Sequence, residues 1–253
     1  MCEKQETEDW LVHAEEMCRY LKENLQKRCA ATRTFEKGID LSFWVECLKE
    51  ALLFRSTELA ATAIDLYQQN KMVSAATITR TLLETTALFN RLHESCANVV
   101  KKHKKGKCSD EIIQEFSERV GKISLASTAA DATQPNIEPY EVRALISSLD
   151  TRFKTHGMAK RTYDEFCQIG HPNFRGCLDA YTKWDQEKRY MEFVQDYHHW
   201  ELNAAQYHLF VFIILKHAKN LEEEMSKLLP NFAKALEEYL ERKPGDDNEK
   251  DTC

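Results

Sequence analysis

The chain has 253 residues, of which 43% are hydrophobic and 30% charged, a balance that excludes a disordered polyelectrolyte and implies a core under a solvated surface. Its net charge of −6 excludes attraction of the whole surface to nucleic acid or anionic lipid, but leaves room for a local basic patch. Seven Gly and five Pro, the first of them Pro135, leave the N-terminal half without proline breaks, so an all-α protein is expected.

Trp10, Ala14, Met17, Leu21 and Leu25 recur at steps of three and four and predict a first helix over about 7–29. Residues 30–38 read as a connector. Leu41, Val45, Leu48, Leu52, Arg55, Leu59, Thr62 and Leu66 continue the same period over 40–69. Asn70 and Lys71 then make a tight link to a third helix over 73–105. Two long helices joined so briefly should lie antiparallel. Ser109 and Asp110 offer an N-cap for a fourth helix carrying Ile112, Ile113, Phe116, Val120 and Ile123 on one side.

Residues 126–136 are small and polar and read as a loop. Pro139 can open a helix with Val142, Leu145, Ile146 and Leu149 inward. A short helix over 163–169 follows, broken by Gly170, His171 and Pro172. One long helix is expected over 186–220, then a final pair interrupted at Pro230. The expected architecture is a multi-helix bundle with long antiparallel helices, a single domain over 1–242 and a flexible charged tail over 243–253.

The nine cysteines, Cys2, Cys18, Cys29, Cys47, Cys96, Cys108, Cys167, Cys177 and Cys253, form no CxxC and no disulfide framework. Free thiols point to a reducing, cytoplasmic compartment. The first ten residues carry four acids and no apolar stretch, which does not fit a secretory signal. The most apolar run, Leu209 to Leu215, is far short of the roughly 20 residues that span a bilayer, so no membrane partner is expected.

Several charged residues do not fit their surroundings. Arg55 falls on the apolar seam of the second helix, where a guanidinium needs a partner or a route to water. Arg80 and Glu84 are one turn apart, about 40° on the helical wheel. They form either an exposed ion pair or one wall of a polar pocket. The order Arg before Glu is the weaker one for an exposed pair, and Val73, Ala76, Thr77 and Ala87 on that face are small enough for another helix to pack there.

In the expected long helix, Glu201 and His208 are polar members of a stripe with Tyr190, Val194, Tyr197, Phe212 and Leu215. A hydrogen-bonded core histidine is the default for such a position. No E-x-x-H pair, HExxH or Cys/His cluster is present, so no metal and no cofactor are expected. His171 is placed differently, because Gly170 ends a helix and Pro172 disfavours the α conformation before it. Its ring is presented from a turn, flanked by Tyr163 and Asn173, as acid, base or phosphate contact. The run Lys101, Lys102, His103, Lys104, Lys105 and Lys107 closes the third helix and complements its dipole.

The stretch from Leu53 to Leu92, with LFR, AIDLY and RTLLE, followed downstream by YDEFCQIGHPN, resembles a bacterial all-helical family of unknown function. That family is distantly similar to HEPN proteins (higher eukaryotes and prokaryotes nucleotide-binding). HEPN ribonucleases carry an Arg and a His a short helical interval apart. Here Arg152 and His156 are closer than that, while Arg161 with His171 and Arg189 with His198 are wider. The resemblance therefore implies the helical fold more than the cleavage chemistry.

Two functions from different classes are expected. One is a binding or regulatory role, with Arg55, Arg80, Glu84, Tyr163 and Asn173 holding an anionic or nucleotide-like ligand. The alternative is an HEPN-like ribonuclease effector of a phage-defence or toxin system, with His171 as the catalytic acid or base and RNA as partner. Glu201 and His208 are secondary candidates. Long helices with broad apolar faces also suit a homodimer.

Overall fold

The computed structural model describes residues 2–25, 41–125, 140–171, 181–193 and 204–242. Within them lie α1 (Cys2–Glu23), α2 (Leu41–Gln68), α3 (Met72–Lys104), α4 (Asp110–Leu125), α5 (Val142–Phe153), α6 (Met158–Gly170), strands β1 (Thr182–Asp185) and β2 (Tyr190–Phe193), and α7 (Ala204–Arg242). Seven helices lie among the described residues and the fold class is all-α, a helical bundle protein, as the periodicity predicts. The connector at 30–38, the loop at 126–136, Pro139, Pro172, Asn173, His198, Glu201 and the tail at 243–253 lie outside the described residues.

Two expectations fail. The single helix predicted over 186–220 is replaced at its start by an antiparallel hairpin pairing Thr182 with Phe193 and Asp185 with Tyr190. Asp185 makes the turn by accepting the Lys188 N–H at 2.9 Å, and Arg189 takes a left-handed φ of 52°. The final pair predicted around Pro230 is instead one continuous helix, α7. Proline removes one backbone bond, but Met225 and Phe232 on either side are fully buried and hold the helix through the defect.

The residues group into two compact units. The first comprises Met1–Arg28, Lys49–Arg91 and Tyr140–Glu222; the second comprises Cys29–Leu48, Leu92–Pro139 and Glu223–Cys253.

In the first unit, the α2 to α3 link is a Schellman turn. Asn70 sits at φ 57°, its N–H reaches Tyr67 O and the Lys71 N–H reaches Leu66 O, both at 2.9 Å. The chain thereby reverses, and moving forward from Arg55 to Ala63 on α2 moves back from Thr85 to Ala75 on α3. Helix α6 also runs antiparallel to α3: Tyr163 meets Glu84, and the bare Cα of Gly170 reaches Thr77. A Cβ at Gly170 would stand 3.0 Å from Thr77 Oγ1, so glycine permits this approach. Helices α1 and α7 run parallel, with Trp10 against Phe212 and Tyr20 under Lys219.

In the second unit, α3 and α7 run parallel, with His93 near Glu224 and His103 near Glu238. Helix α4 packs antiparallel to α7 through Phe116 with Phe232 and Asp110 with Tyr239. The turn from α3 into α4 is a second Schellman motif: Gly106 at φ 64° donates to His103 O, and Lys107 donates to Lys102 O. No helix among the described residues is long and apolar enough to cross a membrane.

Candidate functional site

One side of α3 in the first unit is polar because its sequence repeats threonine at four-residue steps. Thr77, Thr81 and Thr85 each return their hydroxyl to the carbonyl one turn back, at 2.8 to 3.0 Å. At 100° per residue, Arg80 and Glu84 share this side with them. The strip is flanked on the α2 side by Arg55, whose Nε donates to Thr85 Oγ1 at 3.2 Å. On the α6 side stands Tyr163.

Glu84 is the hub. Its Oε1 accepts both Arg80 Nε and the Tyr163 hydroxyl at 3.0 Å, and the Arg80 guanidinium lies over the Tyr163 ring, 5.4 Å from its centroid. The Arg80 and Glu84 side chains are 29% and 26% exposed, between the surface pair and the closed pocket that the sequence left open. Burial and then the Glu84 charge push the Tyr163 phenol up, so it stays a protonated donor at neutral pH. Burial alone would pull Arg80 down, but the Glu84 hydrogen bond and charge outweigh it and hold the guanidinium charged.

Both arginines are tied at Nε. Among the described residues, neither Arg55 nor Arg80 has a hydrogen-bond partner at its terminal nitrogens. Anchored in this way, each retains a forked donor pair suited to a planar anion and loses less freedom on using it.

His171 does not join Arg80, Glu84 and Tyr163. It is exposed, with extended backbone at φ −82° and its N–H closing on Cys167 O. Eight residues separate it from Tyr163, about 12 Å of helix, so it lies toward the Thr77 end of the strip. Asn173 and Glu201 are outside the described residues. His208 is buried at another side of α3, edge-on to Tyr67 at 5.0 Å and beside Tyr207. Tyr207 stacks on Tyr67 at 4.1 Å and shares a 2.6 Å hydrogen bond with Thr79, whose direction on the wheel points away from Glu84.

Some contributors escaped sequence reasoning. Asp150 at the end of α5 is buried and caps the first turn of α6, accepting Ala159 N–H and Lys160 N–H at 2.9 Å and the Thr155 hydroxyl. It thus sets the start of the helix that carries Tyr163, a job done here by a residue eight positions before the helix begins. Lys49 and Glu50 form a buried pair at 2.7 Å inside the run CLKEALLF, which helical periodicity does not single out. Cys167 places a buried thiol beside the Tyr163 hydroxyl. The four-residue threonine spacing was the available signal for the strip. Among the described residues, no group of three His, Cys, Asp or Glu side chains is placed to hold a metal ion.

No protein-family model, no curated protein and no solved structure matches the chain.

Proposed function

We propose that the first unit binds a small anionic, nucleotide-like ligand on the polar strip of α3, in a binding or regulatory role. The observation that carries this reading is that Arg55 and Arg80 are each held through Nε, by Thr85 and Glu84 respectively, with no hydrogen-bond partner among the described residues at their outer nitrogens. A carboxylate or phosphate taken by such a fork gains two charge-assisted bonds. Glu84 and the protonated Tyr163 hold the Arg80 side chain in place and set its direction.

The test is calorimetric titration with inorganic pyrophosphate and with a nucleoside monophosphate. Arg55→Gln and Arg80→Gln should each weaken binding about tenfold, the loss of roughly one charge-assisted bond. Titrations indistinguishable between both variants and the unaltered protein would sink the proposal.

A second reading, an HEPN-like ribonuclease effector, is favoured only by the exposed imidazole of His171 at the Thr77 end of the strip. It requires that RNA be cleaved, with or without chelator, and that cleavage be lost in His171→Ala but retained in His103→Ala. Intact RNA at high protein excess counts against it.

A further inference from the structure

Five lysines crowd the corner where α3 ends: Lys101, Lys102, Lys104, Lys105 and Lys107. All but Lys102 are exposed, and among the described residues no side-chain ion pair or hydrogen bond engages any of the five. The helix dipole favours Lys101, Lys102 and Lys104, which lie in the last turn, but it does not account for Lys107. Lys107 lies beyond it, after the left-handed Gly106.

The corner is also oriented. His103 points toward α7, its Nε2 3.0 Å from Glu238, and the helical wheel turns Lys101 and Lys105 about 160° and Lys104 about 100° away from it. The Schellman bonds at Gly106 and Lys107 fix the backbone that carries the last two lysines. Asp110 and Glu111 follow at the start of α4, but Asp110 is engaged by Tyr239. The local balance is positive in a chain whose net charge is −6.

We infer that this corner is a docking surface for the phosphate backbone of nucleic acid, independent of the ligand proposed for the first unit. Lysines without fixed partners supply the sequence-independent term of such binding by releasing condensed counterions. No Phe, Tyr or Trp lies in 101–107 and His103 is turned toward Glu238, so contact is limited to phosphates. An anionic membrane is the weaker match. Peripheral helices add buried apolar area to their charge, and the window 101–107 holds no apolar side chain.

The test is fluorescence anisotropy of a labelled mixed-sequence single-stranded RNA across a salt series. With about three phosphate contacts, the logarithm of the binding constant should fall against the logarithm of salt with a slope of about −2. Replacing Lys101, Lys104 and Lys105 together by Ala should weaken binding at least tenfold and flatten that slope. The matched variant with Lys160, Lys183 and Lys188 replaced by Ala should bind as the unaltered protein does. All three exposed corner positions tolerate Ala in a helix end, and circular dichroism of each variant checks the fold. Equal affinity in the corner variant overturns the inference, as does an equal loss in the matched variant. Tighter binding to phosphatidylserine vesicles than to RNA at the same salt overturns it in favour of a membrane.

Discussion

His217 shows how one side chain can set the acid limit of its unit. Its ring stacks face to face on Phe153 at 3.7 Å, and both ring nitrogens are buried with no hydrogen-bond partner among the described residues. Burial first, and then the neighbouring Lys216 charge, pull its pKa down to about 4 from an ordinary 6.5. The unfolded chain therefore takes up a proton below pH 6.5 while the folded chain refuses it until about pH 4. Stability is full above 6.5 and declines as pH falls through that window, by on the order of 2 kcal/mol after solvent screening. Denaturant melts of His217→Phe should show a flatter pH profile between 6.5 and 4 than the unaltered protein. Superimposable profiles would assign the acid sensitivity to other groups.

At the scale of elements, Asp150 decides where α6 begins. Helix α6 starts from Gly157 at φ 78°, which has no capping side chain of its own, and Lys154 and His156 before it also take left-handed backbone. The Asp150 carboxylate satisfies the orphan N–H groups in their place. Asp150→Ala should cost about 2 kcal/mol in urea unfolding, more than an exposed cap, because the carboxylate it removes is buried. It should also weaken pyrophosphate binding, since Tyr163 rides on α6. Affinity kept intact in a destabilised variant would detach the cap from the site. These examples show why the sequence was readable only in part. Helices α2, α3 and α4 were legible because their apolar period is regular and Asn70 and Gly106 end two of them. The hairpin was hidden because its turn uses Asp185 and Arg189 instead of glycine, and because Tyr190 also fits a helical stripe. The Arg80 and Glu84 pair was legible as neighbours on one helix. Its junction with Tyr163, like the Asp150 cap, depends on residues far apart in the chain, which local spacing does not encode.

Across the whole molecule, chemistry is graded by depth. Cys96 and Cys167 are buried free thiols, and burial pushes the Cys96 thiol well above its usual range, so little thiolate forms there. Native protein should leave these two unmodified by a thiol-reactive disulfide dye on a timescale at which partly exposed Cys108 reacts, and all nine cysteines should react in guanidinium. Mass mapping that finds Cys96 modified in the native state would contradict the packing of α3. Thr79, Thr85 and Thr86 share the same helix and are buried, yet each hydroxyl is satisfied by a carbonyl one turn back. The polar strip is thus compatible with a dry interior beneath it.

Thr77 and Thr81 carry this arrangement out to the half-open side of α3, where their oxygens rest on their own backbone. A guest arriving there can borrow a hydroxyl by a single rotor flip, and on its departure the proton swings home, leaving nothing orphaned. If the proposed ligand binds there, only torsions of a few side-chain atoms need change, and the main chain of α3 should superimpose with and without pyrophosphate.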